Sequence, residues 1–126
     1  MFNFSGKRPS NLGVKAGNLS LCPGTPNCVN SQSSNPKSKI EPLPPVAIPQ
    51  LRQTIEGMER TTIVEETENY LYAEFKSKLM GFVDDVEFYL DRDANVLHVR
   101  SASRLGQSDL GVNRKRVEEI RAKLQS

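Results

Sequence analysis

Phe82-Val83-Asp84-Asp85-Val86-Glu87-Phe88-Tyr89-Leu90-Asp91-Arg92-Asp93-Ala94-Asn95-Val96-Leu97-His98-Val99-Arg100-Ser101-Ala102-Ser103 is the stretch whose pattern decides the fold. Val86, Phe88 and Leu90 alternate with Asp85, Glu87, Tyr89 and Asp91, the two-residue period of a strand with one apolar face. After a turn at Asp91–Val96 the alternation resumes, with Leu97 and Val99 inward and Val96, His98 and Arg100 outward. Matching the apolar faces sets Leu90 opposite Leu97, Phe88 opposite Val99 and Asp84 opposite Ser103. The same register sets Glu87 opposite Arg100 and Tyr89 opposite His98 on the outer face. A cross-strand Glu–Arg pair contributes about 0.2–1 kcal/mol, enough to favour one register over its neighbours.

Working outward, Tyr70–Ser77 alternates in the same way: Leu71, Ala73 and Phe75 point inward, Tyr70, Tyr72, Glu74 and Lys76 outward. Thr61–Glu66 is β-branched and reads as a further strand. One apolar and one solvated face predict an antiparallel sheet. A helix is predicted from Pro49 to about Arg60, with Leu51, Ile55 and Met58 on one face and Gly57 weakening it. A second runs from about Val112 to Leu124 on the stripe Val117, Ile120, Leu124, with Asn113 as its expected N-cap. Cys28–Gln32, after a Pro-Gly turn, reads as a short extended run that returns to the sheet as its first strand. The predicted class is α+β, a two-layer sandwich in the order β-α-β-β-β-β-α, with two helices on one face of a mainly antiparallel sheet. That order resembles the half-repeat of the TATA-binding-protein-like fold, an analogy of fold that implies no DNA binding.

The chain has 126 residues, enough for one domain. All eight prolines and both cysteines fall within the first fifty residues. Residues 1–20 are rich in Gly, Ser and Asn and are expected to be a weakly ordered lead-in, with 21–126 as a single domain. Residues 1–44 and 100–126 are each net basic, and 45–99 is net acidic. The total of +2 gives no general affinity for nucleic acid, and the acids around the outer tyrosines argue further against it. No run is long enough to span a membrane, and no apolar run follows Lys7-Arg8 as a secretory signal would require, so a soluble cytoplasmic protein is expected.

Four groups of residues are candidates for chemistry. Cys22 and Cys28, with two prolines between them, could close a disulfide, remain packed thiols or act as a redox pair. A metal site is not expected, because the single histidine, His98, is far from them in sequence, and no cofactor is expected either. Arg100, Ser103, Arg104, Asp109, Asn113 and Arg114 surround a strand-to-helix turn. Guanidinium, hydroxyl and helix N-terminal amide groups there could bind a small anionic ligand or an acidic protein segment, or could form an internal network. Asp84 and Asp85 point to opposite faces and cannot form an acid–base dyad. Asp84 on the inner face needs a partner, and Arg104 or Ser103 is the expected one. His98 is expected on the outer face beside Tyr89.

Three segments together carry a family resemblance: Cys22-Pro23-Gly24-Thr25-Pro26-Asn27-Cys28-Val29-Asn30-Ser31-Gln32, then Gly81–Phe88, then Arg100–Arg116. In this order they resemble family 1499 of the domains of unknown function, over roughly residues 19–124. The resemblance implies a bacterial, especially cyanobacterial or proteobacterial, or plastid protein. It allows a membrane-associated or lumenal location, and it implies no established activity. The expectation is therefore a non-enzymatic binding or structural module with an anion-binding turn at 100–116. The alternative is a thiol-redox or hydrolytic enzyme using Cys28 or the group Asp84, Ser103 and Arg104.

Overall fold

The structure, a computed structural model, describes residues 6–78, 81–106 and 108–125. The first five residues of the expected lead-in, and Gln107 of the arginine-rich turn, lie outside the described residues. Strand β1 (Cys28–Asn30) is followed by helix α1 (Ile48–Glu56), strands β2 (Thr61–Glu66), β3 (Tyr70–Lys76), β4 (Val83–Asp91) and β5 (Val96–Ser103), and helix α2 (Val112–Gln125). The five strands form one antiparallel sheet in the order β1-β5-β4-β3-β2. This is the expected α+β order, with the expected β4–β5 register: Phe88 faces Val99, Glu87 faces Arg100, Tyr89 faces His98 and Asp84 faces Ser103.

Both helices pack on the same face. Leu51 and Ile55 of α1 and Val117 and Ile120 of α2 join Leu71, Phe88, Leu97 and Val99 in one apolar core. Each such side chain, fully buried, contributes about 1.5–3 kcal/mol. Helix α1 is shorter than its apolar spacing predicts. It ends at Glu56, Gly57 caps it by donating its N–H to the Gln53 carbonyl, and Arg60 turns the chain with φ 57°. Three apolar side chains cannot carry a helix past a glycine with no Cβ to pack.

The outer face of the sheet differs from expectation: its centre is covered rather than solvated. Tyr70, Tyr72, Asp85, Glu87 and Arg100 are all buried. The cover is the N-terminal segment. Leu19 packs with Tyr70 and Tyr72, and Leu12, Val14, Val64 and Tyr89 border them. Arg8 pairs with Glu74 at 2.7 Å, and the Gly13 N–H donates to Glu87 at 2.6 Å. Between these anchors Lys15 and Asn18 exchange backbone hydrogen bonds across Ala16 and Gly17, both at positive φ, the geometry of a two-residue hairpin turn. The alternating strand pattern is the same whether the polar face meets water or a segment carrying matching donors, which is why the pattern alone gave no sign of the cover.

Candidate functional site

The strand-to-helix turn is built around Asp109. One of its carboxylate oxygens accepts the Gly111 N–H at 2.8 Å, and the other accepts the Asn113 N–H at 2.9 Å. Asp109 therefore caps the first turn of α2, the role expected of Asn113. Burial alone would raise the Asp109 carboxyl, but these bonds and the Asn113 side chain hold it below the ordinary carboxylate range. Asn113 lies instead within the helix, fully buried, on the stripe it shares with Val117 and Ile120.

From there Asn113 ties the turn to the sheet. Its amide donates to Asp109 at 2.7 Å, to Ser103 at 2.9 Å and to the Asn27 carbonyl at 3.2 Å, and its oxygen accepts from Ser101 at 2.6 Å and from Arg116 at 2.9 Å. The Ser103 hydroxyl in turn bonds Asp84. Arg116 completes the group, 2.7 Å from Asp84 with its guanidinium 4.9 Å over the Phe75 ring. Burial still raises the Asp84 carboxyl, against the opposing pull of Arg116. Arg104, the other partner expected for Asp84, is elsewhere. It lies on the outer face, 2.6 Å from Asp85 and 2.8 Å from Glu74. The group Asp84, Ser103 and Arg104 is thus split by the sheet, because residues 84 and 85 face opposite ways and Arg104 follows 85.

The six residues expected around one anion site therefore fall into three places. Ser103, Asp109 and Asn113 belong to the inner network. Arg100 and Arg104 lie under the N-terminal cover. Arg114 reaches across to the carbonyls of Lys39 and Lys37, at 3.0 and 3.2 Å, and fastens the loop before α1. The paired tyrosines on the outer face are bonded through their hydroxyls, Tyr70 to Glu87 and Tyr72 to Asp85, both at 2.5 Å. Burial, then these carboxylates, push both phenols well above their ordinary range. His98 stacks on Tyr89 as expected, half-buried, with Nδ1 2.9 Å from the Ser31 hydroxyl. Cys22 and Cys28 are joined in a disulfide, which leaves no free cysteine in the chain.

Above the inner network opens a cleft of about 720 Å³. It sits at one end of the sandwich, between the segment after α1, the adjoining ends of β3, β4 and β5, and one face of α2 from Val112 to Lys123. Asp84, Ser103, Asp109 and Arg116 form part of its wall. Phe75, Phe82, Val83, Leu105 and Val112 supply apolar surface, while Arg60, Lys76, Lys115 and Lys123 supply positive charge and Glu59 and Glu119 negative charge. Leu110, 95% exposed, stands in the loop beside it. Sequence reading missed the apolar members as a cleft lining, and it missed Arg116 as the partner of Asp84, although Arg116 lies in the arginine-rich turn. The spacing of Asn113 and Arg116, three apart and hence on one helix face, was the available signal for Arg116. Phe82 opens the alternating run on its inward phase, where it reads as core rather than as a cleft wall; Leu105 lies outside the alternating runs and carries no periodic signal.

Among the described residues no helix is long and apolar enough to cross a membrane, and no group of three His, Cys, Asp or Glu is placed to hold a metal ion. No curated protein and no solved structure matches the chain. One family model does match, over residues 18–124, which includes β1, the β4–β5 hairpin, the Asp109 turn and nearly all of α2. The chain belongs to the family described as protein of unknown function (DUF1499).

Proposed function

We propose that the protein is a non-enzymatic binding module whose end cleft takes a small anionic molecule with an apolar body. The observation that carries this reading is the location of the exposed apolar side chains. Five large ones are exposed among the described residues; Phe82, Leu105 and Val112 line the cleft and Leu110 stands next to it. Exposed apolar groups scattered over a surface need no explanation, but three lining one concavity do. Lys76, Lys115 and Lys123, with Arg60, offer cations on the same rim, beside the acids Glu59 and Glu119. A volume of about 720 Å³ falls in the range of small-molecule pockets.

Two observations favour binding over catalysis. Asp84, the cleft-wall carboxylate of the expected Asp84, Ser103 and Arg104 group, is held by Arg116 and Ser103, and Arg104 lies across the sheet from both. Cys28 is buried and bonded to Cys22, so its thiolate is not offered as a nucleophile. The disulfide also favours an oxidising compartment over the cytoplasm as the place where the protein works.

The test uses anilinonaphthalene sulfonate, an apolar ring system with one anionic group, followed by displacement with decanoate. Saturable one-site binding is expected. Val112→Asp and Lys115→Glu, both at exposed positions, should each weaken it about tenfold, roughly 1.4 kcal/mol, with melting temperatures unchanged. Absence of saturable binding, or equal binding by both variants, overturns the reading.

A further inference from the structure

We propose that a second site, separate from the end cleft, lies between the N-terminal cover and the outer face of the sheet, and that it holds a small planar oxyanion on the guanidinium of Arg100. A cavity of about 300 Å³ is present there, walled by Pro9, Asn11 and Cys22 on one side and by Arg100, Ala102 and Arg104 on the other. Its two guanidinium groups are in opposite states. Arg104 makes charge-assisted bonds to Asp85 at 2.6 and 3.0 Å and to Glu74 at 2.8 Å. Arg100 is 4% exposed and carries five N–H donors in a fixed fork. Among the described residues it makes one long bond, at 3.4 Å, to the Leu21 carbonyl. Its Nε has no hydrogen-bond partner among the described residues.

The acid opposite Arg100 does not supply what is missing. Glu87 Oε1 stands 3.9 Å from the guanidinium, beyond hydrogen-bonding range, and is itself without a partner among the described residues. The other Glu87 oxygen is taken by Tyr70 and by the Gly13 N–H. Burial pushes the Glu87 carboxyl up, against the pull of Arg100, Tyr70 and the Gly13 N–H. Asp85 also lines the cavity, but its oxygens are held by Arg104 and Tyr72. A buried cation with most of its donors unmade is costly, and buried polar groups almost always have partners. A planar oxyanion accepts two parallel N–H bonds from a guanidinium and balances its charge at once, which a water molecule does not. The cavity volume suits formate, acetate and similarly small carboxylates.

The test uses formate with the full-length, disulfide-bonded protein at fixed ionic strength in chloride. Formate should bind saturably, with its proton giving a nuclear Overhauser effect to the Ala102 methyl. Arg100→Lys, which keeps the charge and removes the fork, should weaken binding at least tenfold. Ala102→Val, which narrows the cavity, should do the same. The wild-type measurement stands without the variants: no saturable binding, or no Overhauser effect at Ala102, overturns the proposal. So does a folded Arg100→Lys protein that binds formate as tightly as wild type.

Discussion

Asp84 and Asp85 are consecutive in the chain, yet each is neutralised on its own side of the sheet. Arg116 of α2 reaches Asp84 at 2.7 Å through the helical layer, and Arg104 reaches Asp85 at 2.6 Å beneath the N-terminal cover. Both carboxylates are buried. A strand cannot bury two adjacent charges unless each face brings a cation, so this dipeptide ties helix α2 and the turn after β5 to one point on β4.

Removing one cation should therefore cost much more than a surface ion pair. Arg116→Ala leaves Asp84 buried and unpaired and removes the stack on Phe75, so a loss of about 3 kcal/mol is expected in denaturant unfolding. Combining it with Asp84→Asn should recover a large part of that loss. If the two changes add without coupling, the ion pair is not what holds α2 to β4.

The inner layer of the fold and the β4–β5 register were legible because they rest on period and on like faces meeting: Leu90 with Leu97, Phe88 with Val99. The candidate site was legible only in part. Ser103, Asp109 and Asn113 share one network because the turn is local. Arg100 and Arg104, four apart at a strand end, look like neighbours of Arg114 in sequence, but the sheet separates them from it. The cover on the outer face was not legible, since Leu12, Val14 and Leu19 are too few and too irregularly spaced to announce a packed segment.

Asn113 offers a sharper probe of that network than any charged residue. Its side chain makes five hydrogen-bond contacts from a fully buried position, so Asn113→Ala should destabilise by about 2–3 kcal/mol. Asn113→Asp sets a second carboxylate against Asp109 and should be worse near neutral pH, recovering as the pair takes up a proton. Thermal melts of both variants at pH 7 and pH 4 separate the two effects. Equal losses at both pH values would show that charge plays no part.

The sign of the acid response follows from Asp109. Its carboxyl sits lower in the folded chain than the ordinary value of about 3.9, so the folded form holds its proton less tightly than the unfolded form. Its contribution to stability is fully present above that ordinary value. It is lost as the pH falls through the lowered one. Asp84 and Glu87 act in the opposite sense: burial raises them, so their contribution favours folding in acid and is lost as the pH rises through their raised values. Asp109→Asn should therefore be least stable relative to wild type above pH about 4 and converge on it below. A gap that widens in acid would contradict the assignment of Asp109 as the helix cap.

The disulfide acts on the same end of the cover. Cys22 and Cys28 are six apart, so in the chain-entropy picture their bond stabilises by about 2 kcal/mol, the small value of a short loop. Reduction should lower the melting temperature without changing the far-ultraviolet spectrum, because β1 keeps its pairing with β5. Amide exchange should quicken most in residues 12–22. Uniform quickening across β4 and β5 would mean that the bond supports the whole fold rather than the cover.

Deleting residues 1–20 tests what the cover does for the sheet. The deletion removes Leu19 from the tyrosines, the Arg8 partner of Glu74 and the Gly13 N–H that Glu87 accepts. Burying one leucine contributes about 1.5–3 kcal/mol, and leaving a buried acceptor unmade costs a further ~1–3 kcal/mol. A loss of several kcal/mol is expected, with the α1–α2 core still cooperative because none of its members comes from the deleted segment. The phenols report the change directly. Burial is the main cause that raises Tyr70 and Tyr72, so exposure should return their ionisation toward the ordinary value near 10, visible as tyrosinate absorbance in an alkaline titration. A truncated protein as stable as the full chain, with both phenols still silent, would mean that the face under the cover is sealed by the sheet residues alone.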